Sequence, residues 1–414
     1  KQMLLAGFQQ ETNHNTIRQI CACMASLAQA GQWDDCVQFV LGHAQKSSNP
    51  RAMYGFLVLL DNICEFANQL VAPHAGPILN FVQKGLSGPM ELKLPAIKCA
   101  TSLVCALSAV KPELVDQGKF APVIAAVLDA VVVLLKDSNV DRAEEALKSL
   151  EVLARQVPTN FETLLGKTSS LCNQVAMHPK LDPALRAMSL EVLKSIAHGA
   201  SAMVRKVPAF VNVTATASLR MLAEVTEEDW DGTTCDPVDE DDQSPWRVAG
   251  DALAAFADDL GKHIVPVVFK MAPALLTNQA WQRRYAGLTA ISKLVSSGTC
   301  KKTIKPQLPQ IVKMVAPSLG DGNQRNRIKA IECMAMMMGM YEGLFQRKFH
   351  SILAALARCI NGEGGSCLRV RAEAANAVGI FCNEDHCEEG HLRPYLPAVL
   401  KALVNLVQRG GHPV

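Results

Sequence analysis

Residues 302–341 read KTIKPQLPQIVKMVAPSLGDGNQRNRIKAIECMAMMMGMY and contain two helical patterns joined by a polar turn. In the first pattern, apolar residues return at helical spacing: Leu308, Ile311, Val312, Val315 and Leu319. The turn is Asp321-Gly322-Asn323, and the second pattern follows it directly. This stretch therefore predicts a pair of helices, each with an apolar face that needs a partner.

The same pattern recurs along the chain, and in six of its first helices a proline stands near the start. Such prolines stand at positions 77, 122, 208, 266, 309 and 397, so the gaps are 45, 86, 58, 43 and 88 residues. Four of these gaps are one or two multiples of roughly 44, a period typical of HEAT-type repeats. We therefore predict an all-α, HEAT-repeat superhelical solenoid of about nine and a half helical pairs with one shared core.

The predicted pairs form a single solenoid segment over residues 1–414. Their ranges are 2–14 with 15–31, 34–47 with 49–69, 71–87 with 89–110, 118–137 with 139–156, 160–177 with 181–204, 207–225 with 245–260, 262–278 with 280–297, 302–319 with 322–341, 346–361 with 366–383, and the lone 391–408. The chain opens inside a helical pattern and ends after an unpaired helix, so we expect a segment of a longer solenoid.

Composition favours small-residue helix packing, since the chain is 49% hydrophobic but only 5% aromatic and 19% charged. Its 14 cysteines are scattered through apolar stripes without a disulfide framework, which points to a reducing compartment. We identify no signal peptide. The longest apolar run, from Phe120 to Leu135, is interrupted by Asp129 and is too short for a bilayer of about 30 Å. We expect no membrane insertion.

The anomalous gap of 58 residues is explained by an acidic run. Residues 224–242 read EVTEEDWDGTTCDPVDEDD, with ten acids and no lysine or arginine, which leaves the rest of the chain at a formal +12. The run falls between the two helices of one repeat, and we assign the inserted loop to 226–244. A charge run is usually a solvated spacer. Because Trp230 and Trp246 flank this one, docking to a basic protein surface is the alternative.

Other chemistry is disfavoured by the sequence. The stretch CNEDHC offers Cys382, His386 and Cys387, but no second Cys/His pair stands at ligand spacing, so we expect no metal. No nucleophile elbow or other catalytic motif is present, so we expect no enzyme activity and no cofactor. The basic residues are dispersed and aromatic platforms are few, so direct nucleic-acid binding is not expected.

Several stretches resemble the importin beta superfamily, the beta-karyopherins, and among them the karyopherin beta-three branch. The strongest are EVTEEDW at 224–230, DEDDQSPWRVAGDALAAFADDLGKHIVPVVF at 239–269 and WQRRYAGLTAISKLV at 281–295. Further similarity lies in RKFHSILAALARCI at 347–360, HLRPYLPAVLKALVNLV at 391–407 and, more weakly, RAMSLEVLKSIAHGASAMVRK at 186–206. The resemblance covers essentially the whole chain and is thinner before residue 115.

The resemblance implies a nuclear transport receptor that shuttles between cytoplasm and nucleus through the nuclear pore. Such a receptor binds cargo with basic nuclear-localisation signals on its concave face, contacts FG-nucleoporins on its convex face and is regulated by Ran GTPase in its GTP form. The family's acidic loop contacts a basic patch on Ran and influences cargo release. By resemblance, this role is carried over to Glu227, Glu228, Asp229, Trp230, Asp231, Asp239, Glu240, Asp241 and Asp242.

The resemblance also places cargo on the second helices, which line the concave face in this family. Three second helices carry a matching arginine, at Arg284, Arg327 and Arg371. In this family, the position five residues after such a motif arginine faces inward. Applied to Arg186, Arg284, Arg327 and Arg371, that offset gives Glu191, Thr289, Glu332 and Asn376. The family's inner tryptophans are missing at these four positions. The alternative to a transport receptor is a non-transport HEAT-repeat scaffold of a multiprotein complex.

Overall fold

The computed structural model describes residues 8, 11, 13–31, 33, 35–44, 47, 49–115, 118–137, 139–226, 244–341, 344–382 and 389–409. Over these residues the regular secondary structure is helical throughout, and the predicted all-α HEAT-repeat solenoid fold is confirmed. The chain divides into two compact units, Lys1–Phe210 and Val211–Val414. We number the helices of eight or more residues.

Over its described residues, the first unit contains four helical pairs, and α1 precedes them. Its helices are α1 His14–Gln29, α2 Cys36–Ala44, α3 Pro50–Phe66, α4 Ala75–Ser87, α5 Met90–Val110, α6 Ala121–Leu134, α7 Val140–Gln156, α8 Leu165–Ala176 and α9 Pro183–Gly199. The second helices α3, α5, α7 and α9 each pack against the next one along the chain, and α1 packs against α3. This continuous layer carries the shared core that the period predicts.

The second unit repeats this arrangement. Its helices are α10 Pro208–Leu222 (which begins just before the boundary), α11 Pro245–Leu260, α12 Val265–Leu276, α13 Trp281–Ser296, α14 Leu308–Val315, α15 Gln324–Met340, α16 Ile352–Ile360, α17 Leu368–Phe381 and α18 Leu396–Arg409. The second helices α11, α13, α15 and α17 form the inner layer, each in contact with the next.

The prolines of the first helices lie in opening turns, and in one repeat they coincide with breaks in the helix. Pro122 and Pro266 lie in the opening turns of α6 and α12, where a missing N–H costs little. The helix predicted over 302–319 is divided instead into Lys301–Ile304, a 3-10 turn, α14 and the 3-10 segment Ala316–Gly320. Pro306, Pro309 and Pro317 each lie in the opening turn of one of these pieces, so the positions without a backbone donor coincide with the breaks.

The motif arginines are structural clamps. Each donates to a carbonyl at or just after the end of the preceding first helix: Arg186 Nε to Ala176 O at 2.9 Å, and Arg371 Nε to Ile360 O at 2.8 Å. Arg327 also donates from Nη2 to the carbonyl of Gly364, at 2.9 Å, in the next repeat. Because the last carbonyls of a helix lack intrahelical partners, these arginines satisfy them while tying adjacent repeats together.

In the part of the chain that the structure describes, one helix is long and apolar enough to cross a membrane by length and composition. This helix is α5, which consists of 21 residues, and half of its most apolar window is buried inside the protein. It packs against α3, α4, α6 and α7.

The cysteines that the structure describes are all free thiols. Most of them lie in the core, where burial raises the pKa of Cys172 and Cys333 to about 12. A buried thiol of this kind is a poor nucleophile and metal ligand, because the thiolate form is suppressed.

Candidate functional site

Four consecutive second helices, α11, α13, α15 and α17, line an open groove of about 500 Å³ on the inner layer of the second unit. We call it the inner groove. It contains two of the four residues predicted to bind cargo, Thr289 and Glu332. The side chains that line it are Leu222, Trp246, Arg247, Gly250, Asp251, Tyr285, Thr289, Lys293, Arg325, Ile328, Lys329, Glu332 and Arg369.

An aromatic and cationic cluster forms the floor of the inner groove. The rings of Trp246 and Tyr285 meet edge to face, with centroids 6.1 Å apart and planes at 82°. The Arg325 guanidinium lies 5.6 Å from each of these two ring centroids and 5.7 Å from that of Trp281. Arg325 is 7% exposed, and its Nη1 donates to the carbonyl of Thr226. Cation–π attraction and this hydrogen bond together hold a buried guanidinium in place.

Among the described residues that line the inner groove, cationic side chains outnumber carboxylates. Five lysine or arginine side chains line the inner groove against two carboxylates, a formal +3. Both carboxylates have lysine partners: Asp251 Oδ1 lies 3.4 Å from Lys293 Nζ, and Glu332 forms an ion pair with Lys329 on its own helix. Burial lowers the pKa of Lys329, but Tyr285 and Glu332 outweigh it, so the pKa is raised and the ammonium stays charged.

The four predicted cargo residues lie in different environments. Glu191 of α9 pairs with Lys194 one turn later, and its side chain is 29% exposed. Thr289 is 5% exposed, and its Oγ1 makes no hydrogen bond with any described residue. Asn376 of α17 is exposed and hydrogen-bonds to Glu373, whose pKa is raised by burial and by nearby Glu332. The structure thus brings Thr289 and Glu332 together in one groove, with Glu191 in the other unit.

The eight acids and the tryptophan predicted to contact Ran lie outside the described residues. These are Glu227, Glu228, Asp229, Trp230, Asp231, Asp239, Glu240, Asp241 and Asp242. The described chain stops at Thr226, which bonds to Arg325, and resumes at Ser244, two residues before Trp246. Of the possible metal ligands, His386 and Cys387 also lie outside, and the described residues contain no cluster that could hold a metal ion.

Sequence reasoning missed the residues at the centre of the inner groove. Arg325 was not distinguished from other basic residues, and Trp246 was considered only as a flank of the acidic run. The sequence did contain a signal for these residues. Tyr285 directly follows the motif arginine Arg284, and Arg325 stands two residues before the motif arginine of the next repeat, Arg327. A period of about 43 residues aligns such positions on neighbouring second helices.

Comparison with known proteins supports the resemblance. The Importin repeat family matches residues 178–267. Importin subunit beta-3 of Saccharomyces cerevisiae is 23% identical over 413 residues, covering 98% of this chain and 36% of that protein. A probable importin-5 homolog of Dictyostelium discoideum is 22% identical, covering 78% of this chain and 30% of that protein. The similarity to the importin beta superfamily is therefore confirmed.

Solved structures of Kap121p share the fold. The crystal structure of Kap121p matches with a TM-score of 0.84 and 22% identity, over 98% of this chain and 39% of that chain. The same protein has been solved bound to RanGTP and bound to Pho4p, each with a TM-score of 0.83 to this chain. The chain thus spans well under half the length of the relatives it matches.

Proposed function

We propose that this chain is part of a nuclear transport receptor that binds cargo on its second helices and is regulated by RanGTP. The observation that carries the proposal is the Importin repeat at 178–267, because it spans the acidic run and both helices around it. The Kap121p structures with RanGTP and Pho4p support the same assignment. Such a receptor acts by binding alone, without catalysis or cofactor, and shuttles between cytoplasm and nucleus.

The acidic run is proposed as the Ran-responsive element. Its ten acids between Glu224 and Asp242 carry no compensating base, so a basic surface would be attracted over a range of about a Debye length. Attraction of this type mainly speeds association and weakens as salt rises. Trp230 adds an aromatic side chain that a solvated spacer does not need.

A first-helix gap in the second unit is proposed to bind FG-nucleoporins. It lies between α10 and α12, has a volume of about 520 Å³, and is lined in part by Leu219, Ala223, Met271 and Leu275. These apolar side chains surround a space large enough for one phenylalanine ring. A Kap121p structure bound to Nup53p makes a nucleoporin partner reasonable for this fold.

Cargo with a basic signal is proposed to contact the polar positions of the inner layer. Glu191 and Asn376 are accessible enough to meet a lysine side chain through charge-assisted hydrogen bonds. Thr289 is buried and Glu332 is already paired with Lys329, so these two residues are less available to a cargo lysine.

RanGTP binding tests the function. In the full-length protein, replacing the nine assigned residues with Ser or Asn should weaken RanGTP binding or impair cargo release, with unchanged helicity. The matched control is Thr233→Ala with Thr234→Ala, which alters the same run at constant charge. Equal binding of the GTP and GDP forms by the parent would contradict the receptor and favour the scaffold. Unaltered release and binding in the variant with these nine replacements would reduce the run to a spacer.

A further inference from the structure

We propose that a groove in the first unit binds a lysine side chain of a partner protein. It crosses α1, α3, α5 and α7, and its volume is about 300 Å³. We call it the first-unit groove, and the polar residues that carry the argument are Arg18, Tyr54, Asp61, Asn62, Glu91 and Lys98. The inference does not depend on Ran regulation or on nuclear transport.

Two of the lysine and arginine side chains that line the first-unit groove already have carboxylate partners. Lys98 Nζ lies 2.7 Å from Glu145 Oε2, and Arg142 Nη1 lies 3.8 Å from Asp137 Oδ2. Neither of these carboxylates lines the groove. The charges of Lys98 and Arg142 are therefore compensated from outside it.

The two carboxylates of the first-unit groove have no such partners. Asp61 and Glu91 form no ion pair with any described residue. Against them stands the guanidinium of Arg18, which is likewise without an ion pair, so the uncompensated charge is a formal −1. A cationic ligand would correct this imbalance, whereas a phosphate or carboxylate ligand would increase it.

Asp61 is the carboxylate that most needs a cation. Burial and the nearby Glu65 carboxylate raise its pKa to about 6. Ser102 Oγ donates to its Oδ1 at 2.6 Å, and Lys98 also favours its charged form, but these two side chains do not outweigh the burial. Carboxylates perturbed in this way are concentrated at functional sites.

Further hydrogen-bond acceptors lie on α3 and α5. Asn62 Nδ2 donates to the carbonyl of Val58 at 2.7 Å, and no described donor reaches Asn62 Oδ1. Tyr54 is 5% exposed, and its Oη has no hydrogen-bond partner among the described residues. Pro95 lies inside α5 and supplies no N–H to the carbonyl of Glu91, four residues earlier. A lysine ammonium carries three donors and no acceptor, so it complements such a set.

The shape and chemistry of the first-unit groove suit lysine better than arginine. Val58, Met90 and Leu94 add apolar walls, against which the methylene stem of a lysine can pack. The fork of an arginine binds best to a carboxylate with two free oxygens, and Ser102 already bonds to one oxygen of Asp61.

Other ligands fit less well. Among the described residues, no group of side chains could hold a metal ion. A nucleic acid would bring phosphates to Asp61 and Glu91, and the Tyr54 ring is already stacked on His14, with centroids 4.1 Å apart. No described lysine or arginine forms an ion pair with Asp61, so a lysine of a partner protein is the occupant that the groove fits.

The test measures the fluorescence anisotropy of a fluorescein-labelled ten-residue peptide, Gly and Ser around a central Leu-Lys-Leu, as this chain is added. Acetylation of the lysine removes its charge and should weaken binding at least about fivefold. Asp61→Asn should weaken it equally, and this variant should fold because it removes a buried charge. The matched control, Asp129→Asn at an exposed position of α6, should change the affinity less than about 1.5-fold. Arg18→Gln should strengthen binding about twofold.

The pH dependence separates a lysine contact from a structural effect. The groups that face Asp61 are Glu65 on its own helix, Cys21 of α1, and Lys98 and Cys99 of α5. Because only the charged carboxylate attracts the ammonium, the affinity of the parent should fall about tenfold from pH 7.5 to pH 5. Asp61→Asn should lose most of this dependence, and His14→Gln should keep it.

Several outcomes would overturn the inference. They are equal binding of the lysine and acetyl-lysine peptides, parent-like affinity in Asp61→Asn, the same pH dependence in both proteins, and tighter binding of a peptide with arginine in place of the lysine. Loss of binding in Glu191→Gln with Asn376→Ala, but not in Asp61→Asn, would move the lysine to the proposed cargo residues. At least tenfold tighter binding by Lys1→Gln would identify the chain itself as the source of the lysine. RanGTP is absent from the assay, so a failure of Ran regulation would leave these results unchanged.

Discussion

Arg284 binds Asp321 of the next helical pair with two parallel hydrogen bonds. Nε donates to Oδ2 at 2.6 Å and Nη2 donates to Oδ1 at 2.8 Å, while Nη1 donates to the carbonyls of Asn278 and Gln279. Asp321 also accepts from the backbone N–H of Asn323, at the start of α15. One guanidinium therefore ties the end of α12 to the turn that begins the next second helix.

Arg284→Lys should lower the free energy of unfolding by about 2 kcal/mol. A lysine ammonium cannot make the same fork of hydrogen bonds, and it would leave a carboxylate that is 6% exposed incompletely paired. The control is Arg283→Lys at the exposed neighbouring position, which should change stability by less than about 0.5 kcal/mol. Urea unfolding followed by circular dichroism compares them, and equal effects would contradict the clamp.

The same pair predicts a loss of stability in acid. Burial raises the pKa of Asp321, but hydrogen bonds from Arg284 and from the Asn323 N–H outweigh it and hold the pKa below its usual value. The contribution of the carboxylate is therefore present above about pH 4 and is lost as pH falls through the lowered pKa. Asp321→Asn should flatten this acid-side slope in an unfolding titration from pH 6 to pH 2.

Asp61→Asn should stabilise the protein at neutral pH. Burial raises the pKa of Asp61 to about 6, although Ser102 Oγ donates to its carboxylate at 2.6 Å. The folded state thus holds a proton that the unfolded state has lost, and stability falls as pH rises from about 4 to about 6. The substitution should add about 1–2 kcal/mol at pH 7 and nothing at pH 4.

Asp129→Asn is the control for this substitution. Its side chain is 70% exposed beside Lys167, so removing the charge should not stabilise the protein. A gain at Asp61→Asn that is the same at pH 4 and pH 7 would exclude a buried carboxylate as the cause.

Gly199→Ala and Gly379→Ala should have opposite effects on stability. A Cβ on Gly199, at the end of α9, would lie 2.5 Å from Cγ of the Pro158 ring, which cannot rotate away. We expect a loss of about 1–3 kcal/mol from this overpacking. A Cβ on Gly379, in α17, meets nothing within 4 Å, so a gain of about 0.5 kcal/mol follows from helix propensity. Thermal denaturation of the two variants, side by side, checks the sign of each.

Ala223→Asp should abolish binding of a Phe-Gly peptide. Ala223 is half-buried beside Met271 and Leu275, and a carboxylate there would lose hydration when a phenylalanine entered. The control is Glu224→Asp at the exposed neighbour, which should leave binding unchanged. Peptide affinity by anisotropy is the readout, and a parent-like affinity in Ala223→Asp would place the nucleoporin site elsewhere.

The repeat architecture was determined by the sequence because it depends on local rules. Prolines such as Pro122 and Pro266 begin first helices, apolar stripes return every three or four residues, and the period of roughly 44 makes each pair need a neighbour. The prediction of a single helix over 302–319 was wrong, because it placed three prolines within one helix.

Only the tertiary structure decided which side chains meet in the inner groove. Tyr285 follows Trp246, and Arg325 follows Tyr285, by about 40 residues each, and the period predicts only that successive helices are neighbours. Whether Arg325 faces the rings, and whether Glu332 is paired with Lys329, depends on rotamers and on competition among nearby charges. These are non-local interactions, and a periodic pattern contains no information about them.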